Sequence, residues 1–147
     1  MHSKHIEEIR SFNRFYTGII GLLDNYILDS VYTLPEARVL YELYHHQNMT
    51  ASDIIELLGM DKGYLSRLLL QFQKKKLLSK KRSAEDGRSV FIMLTALGRK
   101  EFEKLDHASR QQLDNILELL DKAERDQLLV HLSAVKNILS KTKTQKP

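Results

Sequence analysis

The chain has 147 residues, 42% hydrophobic, with a net charge of +4 at pH 7 and two prolines, a length and composition that predict one globular domain. It contains no cysteine, which excludes disulfides, thiolate metal sites, thiol catalysis and a cysteine-based oxidation switch. No segment approaches the roughly 18 apolar residues of a membrane span, and the charged start MHSKHIEEIR lacks a signal-peptide core, so the expected setting is cytoplasmic with no membrane partner.

Taken in chain order, apolar residues recur at spacings of three and four from Ile6 through Phe12, Phe15, Ile19 and Leu23 to Ile27, predicting a helix over the first thirty residues. Gly18 and Gly21 weaken that pattern. Its apolar face is wider than one core contact needs and suits a second copy of the chain. Thr33-Leu-Pro-Glu36 carries a capping threonine, a first-turn proline and the glutamate of a capping box. The helix it opens carries Ala37, Val39, Leu40, Leu43 and Tyr44 on one face and ends at His45-His46-Gln47-Asn48. Thr50-Ala-Ser-Asp53 starts a short helix by the same logic. Gly59-Met60-Asp61 then makes a turn, and a helix follows from about Lys62 to Lys76 with Leu65, Leu68, Leu69 and Phe72 inward. Short helix, glycine turn and longer helix make a helix-turn-helix.

Asp86-Gly87 marks a turn between two strand-like segments, the second of them Val90–Leu94, so a hairpin follows the helix-turn-helix as a wing. Thr95 caps a further long amphipathic helix, and Asp121-Lys-Ala-Glu124 a last one. The fold class is therefore mostly α with a small β-wing: a winged helix-turn-helix over 33–95, helices over 1–32 and 96–141 suited to dimerisation, and a polar tail over 142–147, all within one domain of 1–147.

Charge is distributed unevenly. Lys62–Lys100 holds eleven Lys and Arg against two acids, whereas the rest holds twelve against seventeen. A basic centre within acidic flanks fits a polyanion, and the element order makes double-stranded DNA the expected partner. At about 100° per residue, the face opposite the buried leucines of the second helix carries Gly63, Arg67, Leu70 and Lys74, flanked by Tyr64, Ser66 and Gln71. Arg67 has the paired donors that read guanine, and Ser66 and Gln71 can bond base edges or phosphates. Lys62 and Tyr64 suit phosphates, Gly63 allows close approach, and Ser52 of the short helix joins the set. In the wing, Asp86 can accept from Arg88 and hold its side chain extended for a minor groove. A surface ion pair without function is the rival reading of those two residues.

Leu34-Pro-Glu-Ala-Arg-Val-Leu40, the helix Asp61–Phe72, Asp86-Gly-Arg88 and Leu94-Thr-Ala-Leu-Gly98 together resemble the MarR family of winged-helix regulators over essentially the whole chain. The resemblance implies a homodimeric transcriptional regulator, a ligand-responsive repressor, on a pseudo-palindromic operator. It also implies a pocket for a small aromatic or phenolic effector between the dimer helices and the winged domain. Phe15, Tyr16, Tyr26, Tyr41 and Tyr44 are candidates to line it, or else ordinary packing residues. Arg10–Thr17 and Asp61–Arg67 further resemble the MarR-like half of proteins fused to a GNAT-type acetyltransferase. No acetyl-CoA phosphate loop of the Arg/Gln-x-x-Gly-x-Gly/Ala type occurs here, which leaves a free-standing relative or a portion of a longer protein. Neither a P-loop, a nucleophile motif nor a His-x-x-x-His pair with an acid occurs, so no catalytic residue, metal or cofactor is expected.

Overall fold

In the computed structural model, residues 1–21 and 27–143 are described. Among them the order is α1 (Ser3–Ile19), α2 (Leu34–His45), α3 (Ala51–Leu58), α4 (Lys62–Lys74), β1 (Leu78–Arg82), β2 (Val90–Leu94), α5 (Ala96–Glu118) and α6 (Lys122–Ser140). The chain divides into two compact units, Met1–Ser109 and Arg110–Pro147. No helix among the described residues is long and apolar enough to cross a membrane.

Helix starts follow the local chemistry. Thr33 with Glu36, Thr50 with Asp53, and Asp121 with Glu124 form complete capping boxes. Asp61 accepts from the Tyr64 amide at 2.9 Å to open α4. Gly59 closes α3 in the left-handed conformation, φ 62°. Two ends differ from expectation. The first helix stops at Ile19, not near residue 30: Gly21 turns left-handed, and Leu28 and Asp29 also have positive φ. Leu22, Leu23 and Tyr26, counted in that periodicity, lie outside the described residues. Helix α4 ends at Lys74 because Lys76 adopts φ 61°, which lets the Leu77 amide reach back to the Phe72 carbonyl at 2.9 Å.

The core of the first unit gathers Val39, Leu40 and Leu43 of α2, Ile54 of α3, Leu65, Leu68, Leu69 and Phe72 of α4, and Phe102 and Leu105 of α5. Leu78 and Ile92 plug the sheet into it. The strands are antiparallel, with Leu78 opposite Leu94 and Arg82 opposite Val90. Met49 pairs with Ile92 on the other edge of β2, so the wing is braced from the end of α2 as well.

Two polar groups are buried with partners. Glu42, 4% exposed, accepts from Arg38 on one carboxylate oxygen (2.9 Å) and has His46 Nδ1 beside the other (3.2 Å) along α2. Tyr32 donates to Glu101 at 3.0 Å; burial, then the Glu101 carboxylate, push its phenol up to about 12.

The backbone comes close to itself at the join from wing to α5. Thr95 Oγ1 donates to the Lys76 carbonyl at 2.6 Å and accepts from the Gly98 amide at 3.1 Å, while the Thr95 amide donates to Leu77 O at 3.0 Å. A Cβ on Gly98 would lie 2.0 Å from Leu77 O. Leu-Thr-x-x-Gly is thus a clamp holding the start of α5 on the corner between α4 and β1.

The candidate nucleic-acid interface

Helix α4 buries Leu65, Leu68, Leu69 and Phe72 and turns the opposite face to solvent. Lys62, Ser66, Arg67, Leu70 and Gln71 are all exposed there, with Tyr64 at the edge and Gly63 half-buried. The Arg67 guanidinium folds back over Gly63: a Cβ at that glycine would meet Arg67 Nη1 and Asp61 Oδ2, each at 3.3 Å. Gly63 therefore leaves Arg67 room along the helix surface. Ser52 is exposed in the first turn of α3. The exposed Leu70 belongs to this face too, as the helical wheel requires.

The wing projects an exposed, charged loop between β1 and β2. Its tip is cross-linked: the Ser83 amide donates to Ser89 O at 2.8 Å and the Gly87 amide to Ser83 O at 3.0 Å. Asp86 is the hub. Its Oδ1 accepts from the backbone amides of Arg88 (2.8 Å) and Ser89 (2.9 Å), and its Oδ2 from Ser89 Oγ (3.1 Å). These three bonds, the Ser89 amide foremost, hold the Asp86 carboxyl below its ordinary range. Here the structure corrects the sequence reading. Asp86 binds the Arg88 backbone, not its guanidinium, because closure between Ser83 and Ser89 points both amides at the carboxylate. The exposed Arg88 side chain is left free for an outside anion.

Two contributors were missed from the sequence. Arg82 donates from Nη1 to Gly87 O at 3.1 Å, and Ser89 completes the Asp86 hub. Both flank the Asp-Gly turn at the strand ends, the positions where a hairpin brings residues face to face.

The aromatic candidates do not converge. A cavity of about 210 Å3 is lined by Leu34, Ala37, Arg38 and Tyr41 of α2, Phe102, Leu105, Asp106 and Ser109 of α5, and Ile27 and Leu28. Of the described members of the expected set, Phe15, Tyr16, Tyr41 and Tyr44, it includes Tyr41. Tyr44 instead packs on Phe102, takes Arg99 over its ring and donates to Glu103 at 3.1 Å, a bond that raises its pKa. Phe15 and Tyr16 are exposed on α1, and Tyr26 lies outside the described residues. Arg38, in contact with the Tyr41 ring, supplies a cation to the cavity wall that sequence reasoning did not single out.

A helix-turn-helix with an exposed polar second helix, followed at once by a braced basic hairpin, defines a winged-helix transcriptional regulator. Residues 32–89 match the model of the MarR family. Over 113 residues the chain is 30% identical to the HTH-type transcriptional regulator YfiV of Bacillus subtilis, covering 77% of this chain and 71% of that one. The chain belongs to the MarR family. Its fold is similar to that of Staphylococcus aureus MepR in a complex with DNA (TM-score 0.69, 24% identity, covering 88% of this chain and 96% of that one). It is likewise similar to apo MarR from E. coli (TM-score 0.70, 21% identity, covering 86% and 94%).

Proposed function

We propose that the protein is a homodimeric regulator that binds a pseudo-palindromic operator, with α4 in the major groove and the wing in the adjacent minor groove. The observation that carries the reading is the face made by Lys62, Ser66, Arg67 and Gln71, beside a wing whose tip leaves Arg88 unpaired. Family membership favours repression, and the likeness in fold to a MepR solved in a complex with DNA supports DNA as the partner. Reporter expression from the protein's own promoter, with and without the protein, tests repression: an increase on adding it argues for an activator. Two wings and two helices contacting six or more phosphates give a slope of log K against log salt of about −5 or steeper. Titration of duplex DNA from low to moderate salt measures it; a flat response removes DNA as the partner.

Dimerisation is supported by unpartnered apolar faces. On α1, Ile6, Ile9, Phe12, Phe15 (65% exposed) and Ile19 recur at helical spacing without a buried residue. On α6, Leu129 (63% exposed), Leu132, Val135 and Ile138 do the same. Apolar stripes of this extent mark protein contacts. In this reading the segments 1–32 and 96–141 serve the dimer, with α1 and α6 supplying these apolar faces. Sedimentation at micromolar concentration is expected to return about twice the 17.1 kDa chain mass. Leu132→Glu, at a position already exposed within its own unit, is expected to give a folded monomer.

Effector response is the remaining part. The cavity beside Arg38 and Tyr41 joins an aromatic wall to two charged members, Arg38, which also pairs with Glu42, and Asp106, a chemistry suited to a small aromatic ligand carrying polar groups. Loss of benzoate or salicylate binding in Arg38→Ala tests it; undiminished binding places the effector elsewhere. An intracellular, cytoplasmic setting goes with this regulator role.

A further inference from the structure

The Gly87–Arg88 peptide group is held at both of its polar atoms by side chains of opposite charge. Its carbonyl oxygen, Gly87 O, accepts from Arg82 Nη1 at 3.1 Å. Its N–H, on Arg88, donates to Asp86 Oδ1 at 2.8 Å. Gly87 itself is left-handed, φ 64°, and its own amide is tied to Ser83 O. A peptide plane held at O and N resists rotation, and Ser89 on its far side is held too, its amide by Asp86 Oδ1 at 2.9 Å and its carbonyl by the Ser83 amide at 2.8 Å, so the direction of the Cα–Cβ bond between them is restricted. That bond is Arg88's. Arg82 lies opposite Val90 at the end of β1, so it reaches the tip from the ordered sheet, not from the loop.

We propose that Arg82 is a positioning residue for Arg88: its guanidinium, working against Asp86 across one peptide group, presets the minor-groove side chain before DNA arrives. The proposal rests on the DNA-binding reading above, and it assigns Arg82 a part different from a phosphate contact. A phosphate contact adds charge to the interface and acts independently of its neighbours. A positioning residue acts through Arg88 and loses its effect when Arg88 is gone. Lysine keeps the charge at 82 but, as a single-point donor on a flexible stem, restores the clamp only in part.

The test has two arms. In the free protein, amide 15N relaxation reads the wing without DNA. Arg82→Ala is expected to bring the Gly87 and Arg88 amides to loop-like mobility, with Arg82→Lys intermediate, while the Ile92 and Met93 amides stay rigid and certify the fold. An unchanged Arg88 amide in Arg82→Ala overturns the proposal whatever the DNA arm returns. The second arm is a double-mutant cycle on an A·T-rich duplex of about 30 base pairs, whose narrow minor groove favours an inserted arginine. Arg82→Ala is expected to weaken binding about tenfold in the native background and at most about threefold in Arg88→Ala. Equal losses in both backgrounds, with the salt slope lowered by about one unit each time, make Arg82 a plain phosphate ligand and sink the proposal. A native protein that binds no duplex removes the DNA reading instead, and the relaxation arm still decides whether Arg82 holds the wing.

Discussion

Gly98→Ala is expected to lose about 3 kcal/mol or more of stability, at the upper end of what added methyl groups cost in a packed interior. The new Cβ would lie 2.0 Å from Leu77 O and 3.0 Å from Leu77 C, so the obstruction is backbone and cannot rotate away. Leu77 O is also the acceptor for the Thr95 amide. Relief therefore requires α5 to lift from the corner between α4 and β1, breaking the Thr95 bonds that join them. Urea unfolding at matched protomer concentration measures the change, since a dimer's midpoint depends on concentration. A loss below about 0.5 kcal/mol, the range of an ordinary surface change, shows that the corner yields. Alanine is otherwise the best helix former, so intrinsic propensity predicts the opposite sign and the measurement separates the two effects.

Arg67→Ala is expected to weaken operator binding by about 1–3 kcal/mol per half-site, or roughly 2–6 kcal/mol for a dimer if the half-sites act independently. Binding to random duplex of the same length should change far less, because a base-edge contact is lost only where the matching base exists. Arg67 is exposed on the face opposite the buried leucines, and Gly63 leaves its guanidinium free to move along the helix. Arg88→Ala provides the contrast: the minor groove code is degenerate, so operator and random DNA should weaken by similar factors. Equal loss on both duplexes for Arg67→Ala makes it a phosphate ligand and moves base readout to Ser66, Gln71 or Leu70. The operator for this comparison comes from footprinting on the protein's own upstream DNA.

The wing shows where sequence reasoning stops. Asp86-Gly87 located the turn because glycine tolerates φ 64° and aspartate caps amides two and three residues on. The sequence reading gave the carboxylate the Arg88 side chain as its donor. Ring closure through Ser83 and Ser89 decided for the backbone, a choice depending on strand register. The cavity is a similar case. Arg38 and Tyr41 meet Asp106 and Ser109 only because α2 packs on α5, so no local pattern could separate Tyr41 from Tyr44.

Sequence alone determined the elements whose causes are local. Capping at Thr33, Thr50, Asp61 and Asp121 works across three residues, and the inward face of α4 follows from a period of 3.6, so helix starts and the exposed polar face were legible. Tertiary structure decided what depends on backbone reversal and distant contact. The apolar period ran on past Ile19, but a left-handed Gly21 ended the first helix, since periodicity records which residues want burial and not where the chain turns. The requirement for glycine at 98 came from a carbonyl 21 residues away, and the peptide held between Arg82 and Asp86 from two strands meeting in register. Close approach between segments is a property of the packed chain, and a sequence pattern carries only the residue types that permit it.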